Sequence, residues 1–325
     1  MPNHRANLSL VADIGGTNTR VALADGKALI PDSIRRFRNA DHPGLEPILR
    51  GFLADAGHVD CGGVCVAVAG PVADGVATMT NLDWVIDQPE LTSATGAEMV
   101  AILNDLQAQG HALGHIAADK LRPVFGTMDP QAAKAKLVIG IGTGFNAAPV
   151  HETPWGRMVA ASECGHINMP VRSSDDLKLA QFVIGRQGFA GVEEVLSGRG
   201  LERIFSFVAT QTGQAEDRAA ADIVAALERG EKDDPAQAAA RLFVRLLGTE
   251  TGNLALIHLP FGGIYLCGGV ARAFTPYLEA MGFEAAFRDK GRFADFMDRF
   301  AVSIIEDDYA ALTGCAAYLA SGAQG

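Results

Sequence analysis

The sequence lacks the features that mark membrane, secreted and nucleic-acid-binding proteins. No stretch approaches the roughly 20 apolar residues that cross a bilayer, and the N-terminal segment MPNHRANLSL has no apolar core of a secretory signal. Acidic residues outnumber Lys and Arg, and the net charge of −11 disfavours nucleic acid or an anionic membrane as a partner. We therefore expect a cytoplasmic globular chain with neither partner.

Cysteine is scarce, and its spacing excludes two common roles. The chain has five cysteines, an odd number without regular spacing, which is typical of reduced thiols rather than a disulfide framework. Cys61 and Cys65 lie four residues apart, but no second Cys or His pair follows at zinc-ligand spacing. We expect neither disulfides nor a structural zinc ion.

The 325 residues are enough for two lobes, and the apolar pattern indicates an α/β chain. Strands and helices alternate over the first hundred residues, and the region from about 173 to 257 is mainly helical. The predicted strands include LSLVADI, RVALAD, MVAILND and the two arms of KLVIGIGTGFNAAPV. Strand and helix follow each other again in GGIYLCGGVARAF and in VSIIEDDYAALTGCAAYLAS.

Two strand–turn–strand segments carry similar glycine-rich turns, at residues 8–24 (DIGGT) and 136–150 (GIGTG). Glycine lets a backbone approach phosphate oxygens closely, Thr adds a hydroxyl, and an adjacent carboxylate can hold Mg²⁺. Neither turn is a Walker A loop or a dinucleotide fingerprint, because a strand rather than a helix follows. The alternative is a pair of ordinary hairpin turns. With a third glycine turn at 268–269, the pattern predicts a duplicated core that clamps a nucleoside triphosphate.

Polar residues elsewhere indicate a general base and a polyhydroxyl ligand. Asp105 follows a buried strand and opens a helix, where it is either an N-cap or a base for a hydroxyl proton. Glu163, His166 and the Glu193–Glu194 pair can bind sugar hydroxyls. The alternatives are a structural histidine and glutamates on a solvated helix face.

These segments together resemble bacterial glucokinases of the zinc-independent hexokinase type, in the actin/hexokinase ATPase superfamily. The resemblance runs nearly end to end, and the matching segments occur in the family's order: DIGGTNTR, MTNLDW, LNDLQA, GIGTGF, SECGHI, EEVLSGRGL, CGGVARAF and AAFRDKGRF.

The resemblance implies a two-domain actin-like ATPase fold, a duplicated ribonuclease H-like α/β architecture with a central cleft. It implies a smaller domain formed by residues 1–110 plus 303–325, with the C-terminal helix packed on it, and a larger domain formed by residues 111–302. It also implies a homodimer. The implied activity is ATP-dependent phosphorylation of glucose at its 6-hydroxyl, with Mg²⁺ as cofactor, feeding glycolysis.

Roles carry over residue by residue where the motifs match. Asp105 matches the catalytic base, and Asp13 is the expected metal residue. The expected sugar-binding residues are Asn104, Glu163, His166, Glu193 and Asn81. The expected ATP-binding residues are Ala12, Asp13, Ile14, Gly15, Gly16 and Thr17 in the first turn, Gly142, Thr143 and Gly144 in the second, and Gly268 and Gly269 in the third.

Two departures from the family pattern affect the expected site. Cys164 replaces the first glycine of the family's E-G-G-H segment, which suggests an enzyme sensitive to thiol oxidation or alkylation. Asn146 follows the second turn where the family usually has glycine, which puts the geometry of that turn in question.

The identity of the sugar stays open. Mannose, fructose or an N-acetylhexosamine would need the same chemistry as glucose. A non-catalytic sugar sensor is the alternative of a different class, disfavoured because Asp105 and the glycine turns are all present.

Overall fold

The computed structural model describes residues 8–79, 82–127, 133–213, 216–230 and 235–322. The strands are β1 (Leu8–Ile14), β2 (Asn18–Asp25), β3 (Ala28–Leu29), β4 (Arg35–Arg38), β5 (Gly63–Val68), β6 (Val72–Ala73), β7 (Val76–Thr78), β8 (Val85–Asp87), β9 (Met99–Asn104), β10 (Leu121–Phe125), β11 (Lys136–Ile141), β12 (Phe145–Thr153), β13 (Gly156–Val159), β14 (Ile264–Cys267) and β15 (Val302–Ile305). The helices are α1 (Leu45–Asp55), α2 (Gln88–Thr95), α3 (Asp105–Ala112), α4 (Ser174–Gln187), α5 (Gly198–Gln211), α6 (Ala220–Glu228), α7 (Pro235–His258), α8 (Gly269–Phe274), α9 (Phe283–Arg288) and α10 (Ala310–Gly322).

The chain forms two compact units. The first comprises Met1–Ala118, Thr153–Val159 and Asp307–Gly325, and the second comprises Asp119–Glu152 and Ala160–Glu306. These bounds differ from the expected 1–110 plus 303–325 and 111–302. Residues up to Glu306 belong to the second unit because β15 pairs with β10 and β14. Thr153–Val159 belongs to the first because Arg157 donates to the backbone carbonyls that end α3.

The sheet of the first unit has the order β3-β2-β1-β5-β9. β1 runs antiparallel to β2, whereas β1, β5 and β9 are parallel. The register places Asp13 opposite Ala67, and Val68 opposite Asn104. The carboxyl ends of β1 and β9 therefore lie at one edge of the sheet. The short strands β6 and β7, which follow β5, pair antiparallel with each other.

Both faces of this sheet are covered because its parallel strands are apolar on both sides. Leu10, Ala12 and Ile14 alternate onto the face covered by α1. Val11 and its neighbours on β2, β5 and β9 face α3 and α10. The C-terminal helix is thus part of the first unit, and it packs on α3, the helix that begins at Asp105.

The sheet of the second unit repeats this pattern, with the order β10-β15-β14-β11-β12. The hairpin strands β11 and β12 are antiparallel, and β11, β14 and β15 are parallel. Long helices, including α5 and α7, bury its apolar face. The repeat of one hairpin followed by two parallel neighbours confirms the duplicated α/β core inferred from the two glycine turns.

No helix in the described ranges is both long and apolar enough to span a membrane.

Candidate active site

The first glycine turn joins β1 to β2, and a buried asparagine holds its shape. Gly15 N donates to Asn18 O at 3.0 Å. Asn39 Nδ2 donates to Gly15 O at 2.8 Å, its backbone N donates to Thr17 O at 2.9 Å, and its Oδ1 accepts from Thr19 Oγ1 at 2.9 Å. No sequence motif marked Asn39, because it contacts the turn only after the chain has folded back past β4.

The fold itself does not require glycine at position 15. A Cβ there would meet its nearest neighbour, Asn18 O, at 3.5 Å, and the backbone is not left-handed. The absence of a side chain instead leaves the turn open to a ligand's approach. Ala12 and Ile14 are fully buried in β1, between β2 and β5, so the structure does not expose these two expected ATP-binding residues to a ligand. Gly16 and Thr17 complete the turn.

Asp13 is the last residue but one of β1. Its Oδ2 accepts from Arg20 Nη1 at 3.1 Å, and its side chain is 17% exposed. Burial raises the pKa of Asp13, and the charge and hydrogen bond of Arg20 partly offset that rise. The described residues contain no group of three or more His, Cys, Asp or Glu side chains able to hold a metal ion. One carboxylate beside a phosphate turn still fits Mg²⁺, which takes one or two carboxylates and completes its shell with phosphates and waters.

Asp105 is the first residue of α3, and Asn104 is the N-cap. Asn104 Oδ1 accepts from Leu106 N at 2.9 Å, and Gln107 closes a capping box onto Asn104 N at 3.0 Å. The capping function therefore belongs to Asn104. Asp105 Oδ1 also accepts from Leu106 N, at 2.8 Å, so the carboxylate lies at the positive end of the helix.

The sheet register brings Asp105 near the first glycine turn. β9, which ends at Asn104, is separated from β1 only by β5, and strands lie about 4.8 Å apart, so β9 runs about 10 Å from β1. Asn104 Nδ2 also donates to Gly70 O, just beyond β5, at 3.1 Å. One amide N–H of Asn104 thus serves the protein, and the other can reach a ligand.

In the second unit, three backbone segments meet at the second glycine turn. Gly142 N donates to Gly144 O at 2.9 Å, and Gly198 N, at the start of α5, donates to Gly142 O at 2.8 Å. Gly268 has φ +99°, and a Cβ there would lie 2.4 Å from Ile141 O. The second and third turns are therefore adjacent, with Gly269 opening α8. Gly198, which the sequence analysis did not single out, also lies at the second glycine turn.

Glu193 is attached to the second turn. Its Oε2 accepts from Phe145 N at 3.0 Å, and its backbone N donates to Gly165 O at 2.8 Å. Glu194 instead forms an ion pair with Arg203 at 2.9 Å. The two adjacent glutamates therefore have different surroundings, and Glu193 is the one at the turn.

Glu163 and His166 lie beside Glu193 because residues 165–169 pair with residues 190–193. The Glu163 and His166 side chains are 65% and 67% exposed, with Oε2 and Nε2 4.0 Å apart. The second unit thus groups three of the expected sugar-binding side chains around the GIGTG turn. Asn104 lies in the first unit. Asn81 lies outside the described residues.

Comparison with known proteins decides the family. A sequence model of the glucokinase family matches residues 10–322. A glucokinase of Erwinia tasmaniensis is 32% identical over 314 residues, covering 96% of each chain. The chain belongs to the glucokinase family. The crystal structure of a glucokinase from an Antarctic psychrotroph superimposes with a TM-score of 0.86 at 29% identity, covering 96% of this chain and 98% of that one.

More distant sugar kinases share the fold of this glucokinase-family chain. A ROK-family glucokinase from Streptomyces griseus, solved with glucose and AMPPNP, has a TM-score of 0.63 at 21% identity, covering 98% of this chain and all of that one. The architecture is the actin-like ATPase fold.

The two departures from the family pattern have different structural consequences. Asn146 leaves the second turn intact, because the register of β11 and β12 continues through Ile141 opposite Phe145. Burial, with a smaller contribution from the charge of Glu250, raises the pKa of the Cys164 thiol, and nearby hydrogen bonds only partly lower it. A raised pKa lowers the thiolate fraction at neutral pH, which weighs against the expected thiol sensitivity.

Proposed function

We propose that this glucokinase-family chain transfers the γ-phosphoryl group of ATP to the 6-hydroxyl of D-glucose, giving glucose 6-phosphate and ADP. The full-length similarity to glucokinases supports the activity and the substrate. The observation that carries the mechanism is the register of β1, β5 and β9, which puts the DIGGT turn and Asp105 at one edge of one sheet. Ligands of parallel α/β sheets bind at that edge.

Asp105 acts as the general base. The N-terminus of α3 favours its charged form, and the bond from Leu106 N holds the carboxylate at the helix start. The carboxylate accepts the proton of the 6-hydroxyl as that oxygen attacks the γ-phosphorus. Asn104 is fixed beside it by the capping box, so its remaining amide N–H can orient the sugar.

The remaining residues bind and orient the two substrates. Glu163, His166 and Glu193 accept from and donate to sugar hydroxyls, together with Asn81. Gly15 N and Gly142 N already donate within the protein, so the backbone N–H groups of Gly16, Thr17, Thr143 and Gly144 are the ones that bind phosphate oxygens. The turn at 268–269 lies against the adenosine. Mg²⁺, when bound with ATP, neutralises phosphate charge, and Asp13 is the residue that would hold it.

We further propose that the protein is a cytoplasmic homodimer that supplies glycolysis. Sedimentation equilibrium tests the dimer: a mass of one chain across the concentration range would contradict it.

ADP release with Mg²⁺ and ATP, measured across a panel of hexoses, tests the function. We expect the highest kcat/KM with glucose, and glucose 6-phosphate identified directly as the product. Turnover with mannose, fructose or an N-acetylhexosamine alone would retain the mechanism and replace the substrate. Glucose binding without turnover of any sugar would instead indicate a sensor.

A further inference from the structure

We propose that Asn146 is a positioning residue that fixes Glu163 for sugar binding, at a place where the family usually has glycine. The inference rests on the proposed function, because it assigns Glu163 to the sugar. Asn146 is the second residue of β12, directly after the GIGTG turn, and it is half-buried. A glycine at this position has no side chain and could not make any of the contacts described below.

Both polar atoms of the Asn146 side-chain amide are hydrogen-bonded, and each contacts the segment that carries Glu163. Its Nδ2 donates to Glu163 Oε2 at 3.2 Å and to the backbone carbonyl of Ser162. Its Oδ1 accepts from two backbone donors, Ala147 N at 2.9 Å and Cys164 N at 3.2 Å. The partners of Nδ2 are acceptors and these partners of Oδ1 can only donate, so one orientation of the amide satisfies all four contacts.

These contacts restrict a side chain that is otherwise free to move. Glu163 is 65% exposed, and an exposed glutamate samples many rotamers. A donor beside one carboxylate oxygen favours a single rotamer, and its bond to a charged acceptor is stronger than a neutral one. The conformational entropy of the Glu163 side chain is then lost on folding rather than on sugar binding. Sugar binding is stronger as a result.

Phe145, the residue before Asn146 on β12, contacts the carboxylate of Glu193. Phe145 N donates to Glu193 Oε2 at 3.0 Å, and Asn146 Nδ2 donates to Glu163 Oε2. Two consecutive residues of β12 therefore position the carboxylates of Glu163 and Glu193. One acts through its backbone N–H and the other through its side chain. Any residue except proline at 145 can make the backbone contact, whereas the contact to Glu163 requires a side-chain donor at 146.

The first test is Asn146→Asp, which keeps Oδ1 but replaces the donor with a carboxylate oxygen facing Glu163. We expect the KM for glucose to rise about tenfold or more, because both Nδ2 bonds, to Glu163 Oε2 and to the Ser162 carbonyl, are lost and the new carboxylate repels Glu163. The kcat and the KM for ATP should stay within about threefold of wild type. Asn146→Gly introduces the residue that the family usually has. It should also raise the glucose KM, because it removes the bond to Glu163 but adds no repulsion.

The second test is a double-mutant cycle with Glu163→Gln. If Asn146 acts through Glu163, Asn146→Asp should change the glucose KM by less than about twofold in the Glu163→Gln background. The repulsion is absent there, since the amide introduced by Glu163→Gln can donate to the new carboxylate. Asn253→Asp is the matched control, because Asn253 Nδ2 makes a similar bond to Glu250 Oε2 at 2.9 Å on α7. It should leave the glucose KM unchanged.

The outcomes separate this inference from the proposed function. Wild-type glucose turnover, with a glucose KM unaffected by both Asn146 variants, would overturn the positioning role alone. So would an undiminished Asn146→Asp effect in the Glu163→Gln background, which would indicate a purely structural residue. A wild-type protein that does not turn over glucose would overturn the proposed function and this inference with it.

Discussion

At the scale of single residues, the glycines of the site divide into those the fold needs and those it does not. Gly268 needs to be glycine, because its φ is +99° and a Cβ would lie 2.4 Å from Ile141 O. In the part of the chain that the structure describes, no atom lies within 4 Å of a Cβ added at Gly142, and the backbone there is not left-handed. The open space at Gly142 is where we place the phosphates.

Gly142→Ala should therefore separate binding from stability. We expect the free energy of unfolding to stay within about 0.5 kcal/mol of wild type, as for a substitution that meets no neighbour. The KM for ATP should rise about tenfold, because a methyl group would hold the phosphates away from the turn. Denaturant unfolding and steady-state kinetics measure both quantities.

Gly185→Ala, in α4, is the control for adding a methyl group, since a Cβ there also meets nothing within 4 Å. It should leave the KM for ATP unchanged. An unchanged KM for ATP in Gly142→Ala would contradict the phosphate site at this turn.

Local sequence patterns single out the candidate site residues whose partners are close along the chain. Asp13 and the glycines that follow it lie within one hairpin, and Asp105 directly follows its strand, so local patterns marked them. Asn39, Gly198 and the role of Asn146 could not be predicted in this way. Each contacts a segment that the fold brings close, and no local rule encodes such a contact.

At the scale of elements, the position of α3 depends on close packing against α10. A Cβ at Gly314 of α10 would lie 1.7 Å from Ala108 O of α3. The two helices can approach this closely only because residue 314 has no side chain. The position of Asp105, three residues before Ala108, is therefore set in part by the C-terminal helix.

Gly314→Ala should force the two helices apart. We expect the free energy of unfolding to fall by about 3 kcal/mol or more, at the upper end of overpacking costs. The surviving folded protein should have a lower kcat, because α3 carries the base. Thermal unfolding and kinetics on the folded fraction measure these effects.

Gly322→Ala, in the same helix, is the control, because a Cβ there would lie within 4 Å of no atom among the described residues. Wild-type stability of Gly314→Ala would show that α3 and α10 are not packed as described.

The elements themselves could largely be predicted from apolar periodicity. LSLVADI corresponds to β1, and the two arms of KLVIGIGTGFNAAPV correspond to β11 and β12. The limits of the units could not be predicted, because β15 and the segment around Arg157 are assigned by long-range pairing. Such pairing is absent from the local sequence pattern.

At the scale of the whole molecule, a buried carboxyl makes stability depend on pH. Glu250 of α7 is buried, and its Oε1 has no hydrogen-bond partner among the described residues. Burial raises the pKa of Glu250, and the bond from Asn253 and the charge of Lys290 only partly offset this. Because the folded state then binds the proton more tightly than the unfolded state, stability from this group is present at low pH and lost as pH rises.

Glu250→Gln should remove this dependence. We expect the variant to exceed wild type in free energy of unfolding at pH 8, by on the order of 1 kcal/mol, as expected for relief of a poorly compensated buried charge. Near pH 4 the two proteins should be equally stable, since Glu250 is then protonated. Denaturant unfolding across this range tests the claim. A constant difference at all pH values would contradict it.

The central claim is that Asp105, placed at the N-terminus of α3, is the base for phosphoryl transfer. The most direct measurement compares kcat and the glucose dissociation constant of wild type and Asp105→Asn, because Asn can still accept from Leu106 N. The account predicts a kcat lower by roughly 10²- to 10⁴-fold with glucose affinity and stability close to wild type. A variant that retains wild-type kcat, or one that loses glucose binding instead, would contradict it.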